Sequence, residues 1–188
     1  MEIIQKTKKV NVTLRGNTPI LFDRYAGDNK TQLSFLEKIY HDENGYLVLP
    51  SLNIMSFLSA QNTESATQRV IGRGYKEVCK AALSYVTIEE YNIPFSRNGK
   101  PIPANEDTLE RRVDVARIMK GKLAIPNPKE RPMLNLPWEL RFTLHILETP
   151  SLREDTLKKI FAMGGSAVGL GTFRGVFGKF EVVEWNVE

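Results

Sequence analysis

The chain of 188 residues is poor in the residues that build disulfides and zinc sites. It has one cysteine, Cys79, so a disulfide within the chain is excluded. With only two histidines, His41 and His145, the sequence disfavours a zinc site, because such sites draw on cysteine and histidine ligands. We expect no bound metal, and the shortage of cysteine favours an intracellular compartment.

Long apolar runs are also missing. No run approaches the roughly 20 residues that a membrane helix needs. The first ten residues, MEIIQKTKKV, lack the apolar core of a secretory signal peptide. Apolar residues make up 41% of the chain and charged residues 26%, as in ordinary soluble domains. We therefore expect one domain in the cytoplasm, without membrane contact.

Nucleotide-binding motifs are absent from the most glycine-rich stretch, residues 164–180, which reads GGSAVGLGTFRGVFGKF. Phe180 stands where a Walker A loop needs Ser or Thr, and Arg174 stands where a dinucleotide fingerprint needs its third glycine. We expect no cofactor. The stretch predicts a loop whose amides and cations, Arg174 and Lys179, hold phosphates or another chain. A tight connection beside a packed sheet is an equal alternative.

Positive charge is in modest excess, with 26 Lys and Arg against 22 Asp and Glu and a net charge of +4. This excess weakly favours a polyanionic partner. Apolar residues at helical spacing predict one helix over residues 65–83, with four cations on its opposite side (Arg69, Arg73, Lys76 and Lys80). A solvated helix face is the commoner explanation of such a row. Residues 92–137 form a second basic segment, which predicts an arm that touches a partner.

Alternation of apolar and polar residues predicts four strands, at residues 8–16, 85–91, 138–148 and 179–187. Helices are predicted to begin at Ser51, as a capping residue, and at a capping box formed by Ser151 and Glu154. The second of these helices is predicted to end at Gly164-Gly165. The arm's prolines, Pro126, Pro128 and Pro132, predict irregular extended backbone, and residues 93–105 predict a loop.

The resulting order is βαββαβ, which predicts an α+β, ferredoxin-like or RRM-like fold. Such a fold has a four-stranded antiparallel sheet with two helices on one face. We expect residues 1–188 to form a single domain with insertions at about 17–50 and 92–137.

This order, with a glycine-rich loop before the last strand, resembles the RAMP superfamily, whose members form backbone subunits and repeat-processing nucleases of CRISPR effector complexes. Residues 164–180 are similar to the family's C-terminal glycine-rich loop. Residues 47–54 look like the strand–Pro–Ser–helix segment of backbone subunits, and residues 92–137 stand where these carry a thumb-like insertion. Leu52-Asn53 departs from the small residue and Lys-Gly that members often have. A solitary member from a phage or prophage would fit the short chain.

The resemblance implies a non-catalytic subunit that binds single-stranded RNA and associates with copies of itself or with other effector subunits. Phosphate contacts dominate such binding, and Phe173 is placed to stack on an unpaired base. The expected nucleic-acid contacts are Arg69, Arg73, Lys76, Arg111, Arg112, Arg117, Gly169, Gly171, Phe173, Arg174 and Lys179.

Two alternatives stay open at this point. Processing members of the family cleave RNA without metal, commonly with a histidine, for which His41 is the candidate. Some backbone subunits cut target RNA with an aspartate after the first strand, and Asp23 and Asp28 lie in such a loop. The other alternative is a protein-interaction module, such as a phage inhibitor that mimics a backbone subunit.

Overall fold

The structure, a computed structural model, describes residues 7–28, 30–60, 64–120 and 122–188, and the side chains of residues 116–120 lie outside the description. The strands are β1 (Thr7–Gly16), β2 (Ile20–Leu21), β3 (Val48–Pro50), β4 (Val86–Ile88), β5 (Asn92–Arg97), β6 (Lys100–Pro101), β7 (Glu110–Lys120), β8 (Leu123–Leu134), β9 (Glu139–Leu147) and β10 (Phe180–Val187). The α-helices are α1 (Ser51–Ser59), α2 (Ala66–Ile71), α3 (Tyr75–Tyr85) and α4 (Glu154–Ala167), and a short 3-10 helix covers Leu36–Lys38.

The main sheet has the ferredoxin-like arrangement. Its order is β10-β1-β9-β5-β3, and β4 also pairs with β9. The strand β1 therefore lies between β10 and β9, as the first strand of a βαββαβ fold lies between the last and the third. Two strands, β4 and β5, both pair with β9 and together take the place of the second strand. All these pairs are antiparallel, so the predicted α+β fold is confirmed. The proposed insertion limits of 17–50 and 92–137 stay predictions.

The core lies between this sheet and the helices. Val10, Val12 and Leu14 of β1 are buried, as their alternation predicted. The ring of Phe57 in α1 lies 5.5 Å from that of Phe161 in α4 and 5.4 Å from that of Phe180 in β10. Aromatic contacts thus tie two helices to the edge of the sheet.

The predicted end of α4 at Gly164-Gly165 is wrong, because the helix continues to Ala167. Both glycines are buried in contacts that leave no room for a side chain. A Cβ on Gly164 would collide with the Cβ of Ala66, and a Cβ on Gly165 would lie 2.6 Å from the Phe180 ring. These glycines therefore let α4 approach α2 and β10 closely.

Both predicted helix caps are also wrong. Ser51 is the first residue of α1, and its side chain does not cap the helix. The helix α4 begins at Glu154, whose amide donates to the side chain of Glu148 at 3.0 Å. This hydrogen bond, together with Lys8 at 3.0 Å, holds the pKa of Glu148 below its usual value. An acidic residue six positions upstream thus does the capping.

The predicted single helix over residues 65–83 is two helices. Gly72, with φ 66°, and Gly74, with φ 87°, separate α2 from α3. A positive φ is a conformation that glycine adopts without strain, so the two glycines permit this break. Arg73 lies in the intervening turn, and the expected row of four cations on one helix does not form.

The arm is a regular hairpin, so the predicted irregular backbone at Pro126, Pro128 and Pro132 is wrong. The alternation of residues 112–118 predicts a strand, and β7 confirms it. The strands β7 and β8 pair antiparallel from Glu110↔Met133 to Lys120↔Leu123. The carbonyl of Pro132 accepts from the Phe22 amide at 3.0 Å, so the backbone groups of Pro132 point away from β7. Pro126 and Pro128 lie an even number of residues from Pro132, so their backbone groups also point away from β7. The missing N–H groups therefore remove no hydrogen bond between β7 and β8. Residues 93–105, expected as a loop, contain β5 and β6.

A second sheet joins the arm to the body. Its order is β2-β8-β7, and Leu21 of β2 also forms a bridge with Thr172. Leu21, Met133 and Phe177 make a small buried cluster apart from the main core. Among the helices of the described ranges, none is long and apolar enough to cross a membrane.

Candidate nucleic-acid interface

The glycine loop (residues 168–179) connects α4 to β10 in a tightly fitted conformation. Gly169, Gly171, Gly175 and Gly178 all have positive φ. A Cβ on Gly169 would lie 2.7 Å from the Gly178 carbonyl oxygen, and one on Gly171 would lie 2.6 Å from the Leu21 carbonyl oxygen. Gly175 alone of these four has open space where its Cβ would be. The loop needs most of its glycines for packing.

Many amides of the glycine loop donate within the protein. Leu170 donates to the Gly178 carbonyl at 2.9 Å, Gly175 to the Val168 carbonyl at 2.7 Å, and Gly178 to the Pro19 carbonyl at 2.8 Å. The amide of Gly169 donates to Gly164 at 3.3 Å. These bonds fix the shape of the loop. The expected phosphate contacts of Gly169 and Gly171 stay predictions.

The apex of the loop carries an exposed aromatic ring beside a cation. Phe173 is 47% exposed and has φ 56°, which is rare for a bulky residue. Arg174 follows it and is half-buried. Burial lowers the pKa of Arg174 from its usual value, although an arginine stays charged at neutral pH.

A groove of about 470 Å³ separates this apex from α1. Phe173 and Arg174 line one side, and Asn53 and Ser56 of α1 line the other together with Glu64. The lining therefore combines a ring for stacking, a cation for a phosphate and neutral polar groups for base edges or sugars. In the sequence, Asn53 counted against RNA contacts at α1, as part of the departure from the family's pattern, and Ser56 gave no signal because helical spacing shows only that it lies off the apolar face of α1.

The base of the arm supports the loop from behind. The Arg112 guanidinium lies 4.8 Å from the centre of the Phe177 ring, and that of Arg131 lies 5.9 Å from the centre of the Phe173 ring. Arg131 is only 5% exposed. The sequence analysis singled out neither Arg131 nor Phe177, yet they connect the glycine loop to the arm.

Two of the arm cations that the sequence nominated, Arg111 and Arg112, are engaged by acids. Arg111 pairs with Glu106 at 2.9 Å and Glu130 at 3.1 Å, and its guanidinium lies 4.1 Å from the centre of the Phe35 ring. The hydrogen bond to Glu106 is the main reason that the pKa of Arg111 is raised. Arg112 pairs with Asp114 at 3.0 Å, Arg117 lies in β7 with its side chain outside the described part, and Lys179 is half-buried beside β10.

The helix cations lie apart from the arm. Arg69 pairs with Glu64, a groove residue, at 3.4 Å. Arg73 and Lys76 are exposed at the break between α2 and α3. Within the described residues, no ion pair or side-chain hydrogen bond joins either of them to the loop or the arm. The structure thus brings the loop to the arm and leaves these two cations on the helical side.

The candidate catalytic side chains are held in structural roles. Asp23 pairs with Arg131 at 3.1 Å and Lys129 at 3.5 Å. Asp28 accepts from the amides of Lys30 and Thr31, both at 2.6 Å, and these bonds, those from Thr31 first, lower its pKa. Over the described ranges, no three His, Cys, Asp or Glu side chains are grouped to hold a metal.

The two histidines differ in their partners among the described residues, and only His145 faces a carboxylate. His41 is exposed in a turn, and its Nδ1 lies 3.0 Å from the Asp42 carbonyl oxygen. His145 faces Glu89 at 3.0 Å on the open side of the sheet. The same side of the sheet carries other polar contacts, such as the hydrogen bond of 2.9 Å from Arg15 to Glu139. The strands β1 and β9 therefore offer no aromatic platform for bases there.

Comparison with known proteins bears on the fold. No family model matches the chain, and no curated protein matches it. Among solved structures, the chain is similar to a chain of the type III-B Cmr-beta complex bound to cognate target RNA, with 17% identity and a TM-score of 0.59. The match covers 97% of this chain and 61% of that one, so this chain spans about three-fifths of its neighbour's length.

A second similar structure is Csc2 of Thermofilum pendens. The identity is 13% and the match covers 99% of this chain and 68% of Csc2, but the TM-score of 0.33 is too low to support an argument. At these identities the likeness concerns the fold alone. The chain has the mixed α+β fold of the Cmr-beta neighbour, a ferredoxin-like antiparallel sheet with its helices.

Proposed function

We propose that the protein binds single-stranded RNA in the groove between α1 and the glycine loop, as a non-catalytic subunit that associates with copies of itself or with other subunits. The observation that carries this proposal is the placement of Phe173 and Arg174 on one wall of the groove. One residue offers a π face and the next offers a charge, the pair of features that single-stranded nucleic acid requires.

The chemistry of the groove favours an unpaired strand over a duplex. An exposed ring can stack only on a base that is not already stacked within a helix, and such stacking contributes about 1–3 kcal/mol for each base. Arg174 would contact the adjoining phosphate, and Asn53 and Ser56 lie across the groove for the sugar or base edge. The proposal of RNA, rather than DNA, follows the neighbour, which was solved bound to target RNA.

The proposed lack of catalysis follows from the engagement of the candidate acids and bases. Asp23 is bound by two cations, and Asp28 holds a turn. A general base must reach the proton that it removes and is usually assisted by another group, and among the described residues the His41 ring contacts only the Asp42 carbonyl oxygen and pairs with no acidic or basic side chain.

The test is a titration of fluorescently labelled single-stranded RNA, duplex RNA and single-stranded DNA, read by anisotropy at several salt concentrations. We expect single-stranded RNA to bind best and its log K to fall with log salt. Phe173→Leu should weaken binding by about 10-fold, from lost stacking. Tyr91→Leu, which removes an exposed ring outside the groove, is the matched control and should change little.

Two results would overturn the proposal. Absence of binding to all three nucleic acids would favour a protein-interaction module. RNA cleavage that Asp23→Asn or His41→Ala abolishes, with binding retained, would show that the protein is an endoribonuclease.

A further inference from the structure

The two long edges of the arm are protected unequally. The outer edge of β8 pairs with β2 at Met133 and Leu134. Its three prolines turn their missing N–H groups outward, so the rest of this edge cannot accept a regular strand. The strand β7 has no proline, and within the described residues it pairs with β8 alone. β7 is thus an open edge of 11 residues.

The outward backbone groups of β7 follow from the same register. Pro126, Pro128 and Pro132 stand opposite Arg117, Val115 and Arg111. Residues directly opposite each other in an antiparallel pair point their backbone groups either both inward or both outward. Since Pro132 points outward, residues 111, 113, 115 and 117 of β7 also present their N–H and C=O groups to the open edge.

The side chains at the middle of this edge are apolar and exposed. Val113 is 63% exposed and Val115 is 62% exposed. An open, straight edge with exposed β-branched residues is a template for another strand. The edge strand β10, by contrast, has an irregular register opposite Thr13/Leu14, which makes it a poorer template.

We propose that the open edge of β7 pairs with β7 of a second copy, antiparallel and over its full length, with Val115 opposite Val115 on a two-fold axis. Val115 is the midpoint of β7, so this register uses all 11 residues. It sets Glu110 opposite Lys120 of the second copy, twice by symmetry, and puts no like charges directly opposite each other.

The neighbouring registers are disfavoured by charge. A shift by one pair in one direction sets Asp114 opposite Asp114 of the second copy, and a shift in the other sets Arg112 opposite Lys120. Like charges directly opposite destabilise a pair of strands. Charge thus selects the symmetric register, and the two arms would form one continuous four-stranded sheet. This inference specifies the self-association part of the proposed function and does not depend on RNA binding.

The first experiment measures the mass of the full chain by analytical ultracentrifugation without RNA, over a range of concentrations. We expect a monomer–dimer equilibrium. Val115→Pro should raise the dimer dissociation constant by about 10-fold or more, because two intermolecular hydrogen bonds are lost. Val115→Thr, which keeps the N–H and the branched side chain, should leave the dissociation constant nearly unchanged.

Val115→Pro leaves the hairpin ladder intact, because its amide faces away from β8, as that of Pro128 opposite faces away from β7. An unchanged far-UV circular dichroism spectrum and thermal midpoint would verify this. A wild-type chain that stays monomeric at all concentrations, or a dimer that Val115→Pro does not weaken, would overturn the proposal. Because RNA is absent, either outcome is independent of the RNA titration.

The second experiment reads the register. On a Cys79→Ser background, Val115→Cys should form an intermolecular disulfide on mild oxidation, since directly opposite Cα atoms lie about 5.5 Å apart. Val113→Cys is the matched control and should not, because the two copies of residue 113 would be about 13 Å apart along the strands. Cross-linking at 113 in place of 115 would contradict the register.

Discussion

The Nε of Arg131 lies 3.1 Å from the Oδ2 of Asp23, and this pair fastens the loop after β2 to the arm. The same guanidinium lies behind the ring of Phe173 in the proposed groove. Asp23 is therefore engaged as an anchor for the residue that supports the groove.

The Asp23–Arg131 pair predicts strong energetic coupling between the two side chains. Arg131→Met should lower the free energy of unfolding by about 1–3 kcal/mol, because it leaves the Asp23 carboxylate short of a partner. In the double variant with Asp23→Asn, the loss should be smaller than the sum of the single losses by about 1 kcal/mol. Urea denaturation measures all three variants. Strict additivity would contradict the role given to the pair. Lys129→Met, which removes the half-buried and more distant partner of Asp23 at 3.5 Å, should cost less than Arg131→Met.

Substitution of Gly164 by alanine should disrupt packing, although alanine has the higher helix propensity. Alanine in a helix normally stabilises it relative to glycine, but here its Cβ would collide with Ala66. We expect Gly164→Ala to lower the free energy of unfolding by about 1–3 kcal/mol, as in other overpacked cores. Ser166→Ala, at an exposed position of the same helix, should be neutral or stabilising. A gain in stability for Gly164→Ala in chemical denaturation would refute the close approach of α4 and α2.

Glu148 predicts a pH-dependent part of the stability. Its folded-state pKa is lowered, mainly by the hydrogen bond from the Glu154 amide, so its charged form is favoured in the folded protein. This contribution is present at neutral pH, above the ordinary pKa of 4.5, and is lost as the pH falls through the lower folded-state value. Glu148→Gln should therefore reduce stability at pH 7 more than at pH 3. Equal losses at both values, in denaturant titrations, would argue against the capping role.

Phe173 predicts a separation of stability from binding. Its positive φ is costly for phenylalanine but easily adopted by asparagine. Phe173→Asn should keep or slightly raise the free energy of unfolding while weakening RNA binding by about 10-fold. Denaturation and anisotropy on the same sample measure the two effects. A large loss of stability would instead assign the ring to packing.

The strands of the main sheet could be predicted because the pattern of residues within each strand is enough to identify it. The alternation of Val10, Val12 and Leu14 identifies β1 without reference to any other part of the chain. The same holds for β9 and β10, and the order of elements then indicates the fold.

The remaining features depend on partners that are distant in sequence. Gly164 resembles a helix end until Ala66 is known to lie against it. Whether the backbone groups of Pro132 point towards β7 or away from it depends on how β8 pairs, and the pattern of residues does not show that pairing. The pairing of Asp23 with Arg131 spans 108 positions, so a candidate base and a structural anchor looked alike.

The one-sided prolines of β8 restrict how the arm can change its length. Inserting a single residue between Pro128 and Pro132 would turn the outer prolines inward, where each would delete a rung of the ladder to β7. Adding two residues would preserve their direction. A regular hairpin with this pattern therefore changes its length by two residues in each of its two strands, which is about 7 Å of reach per step.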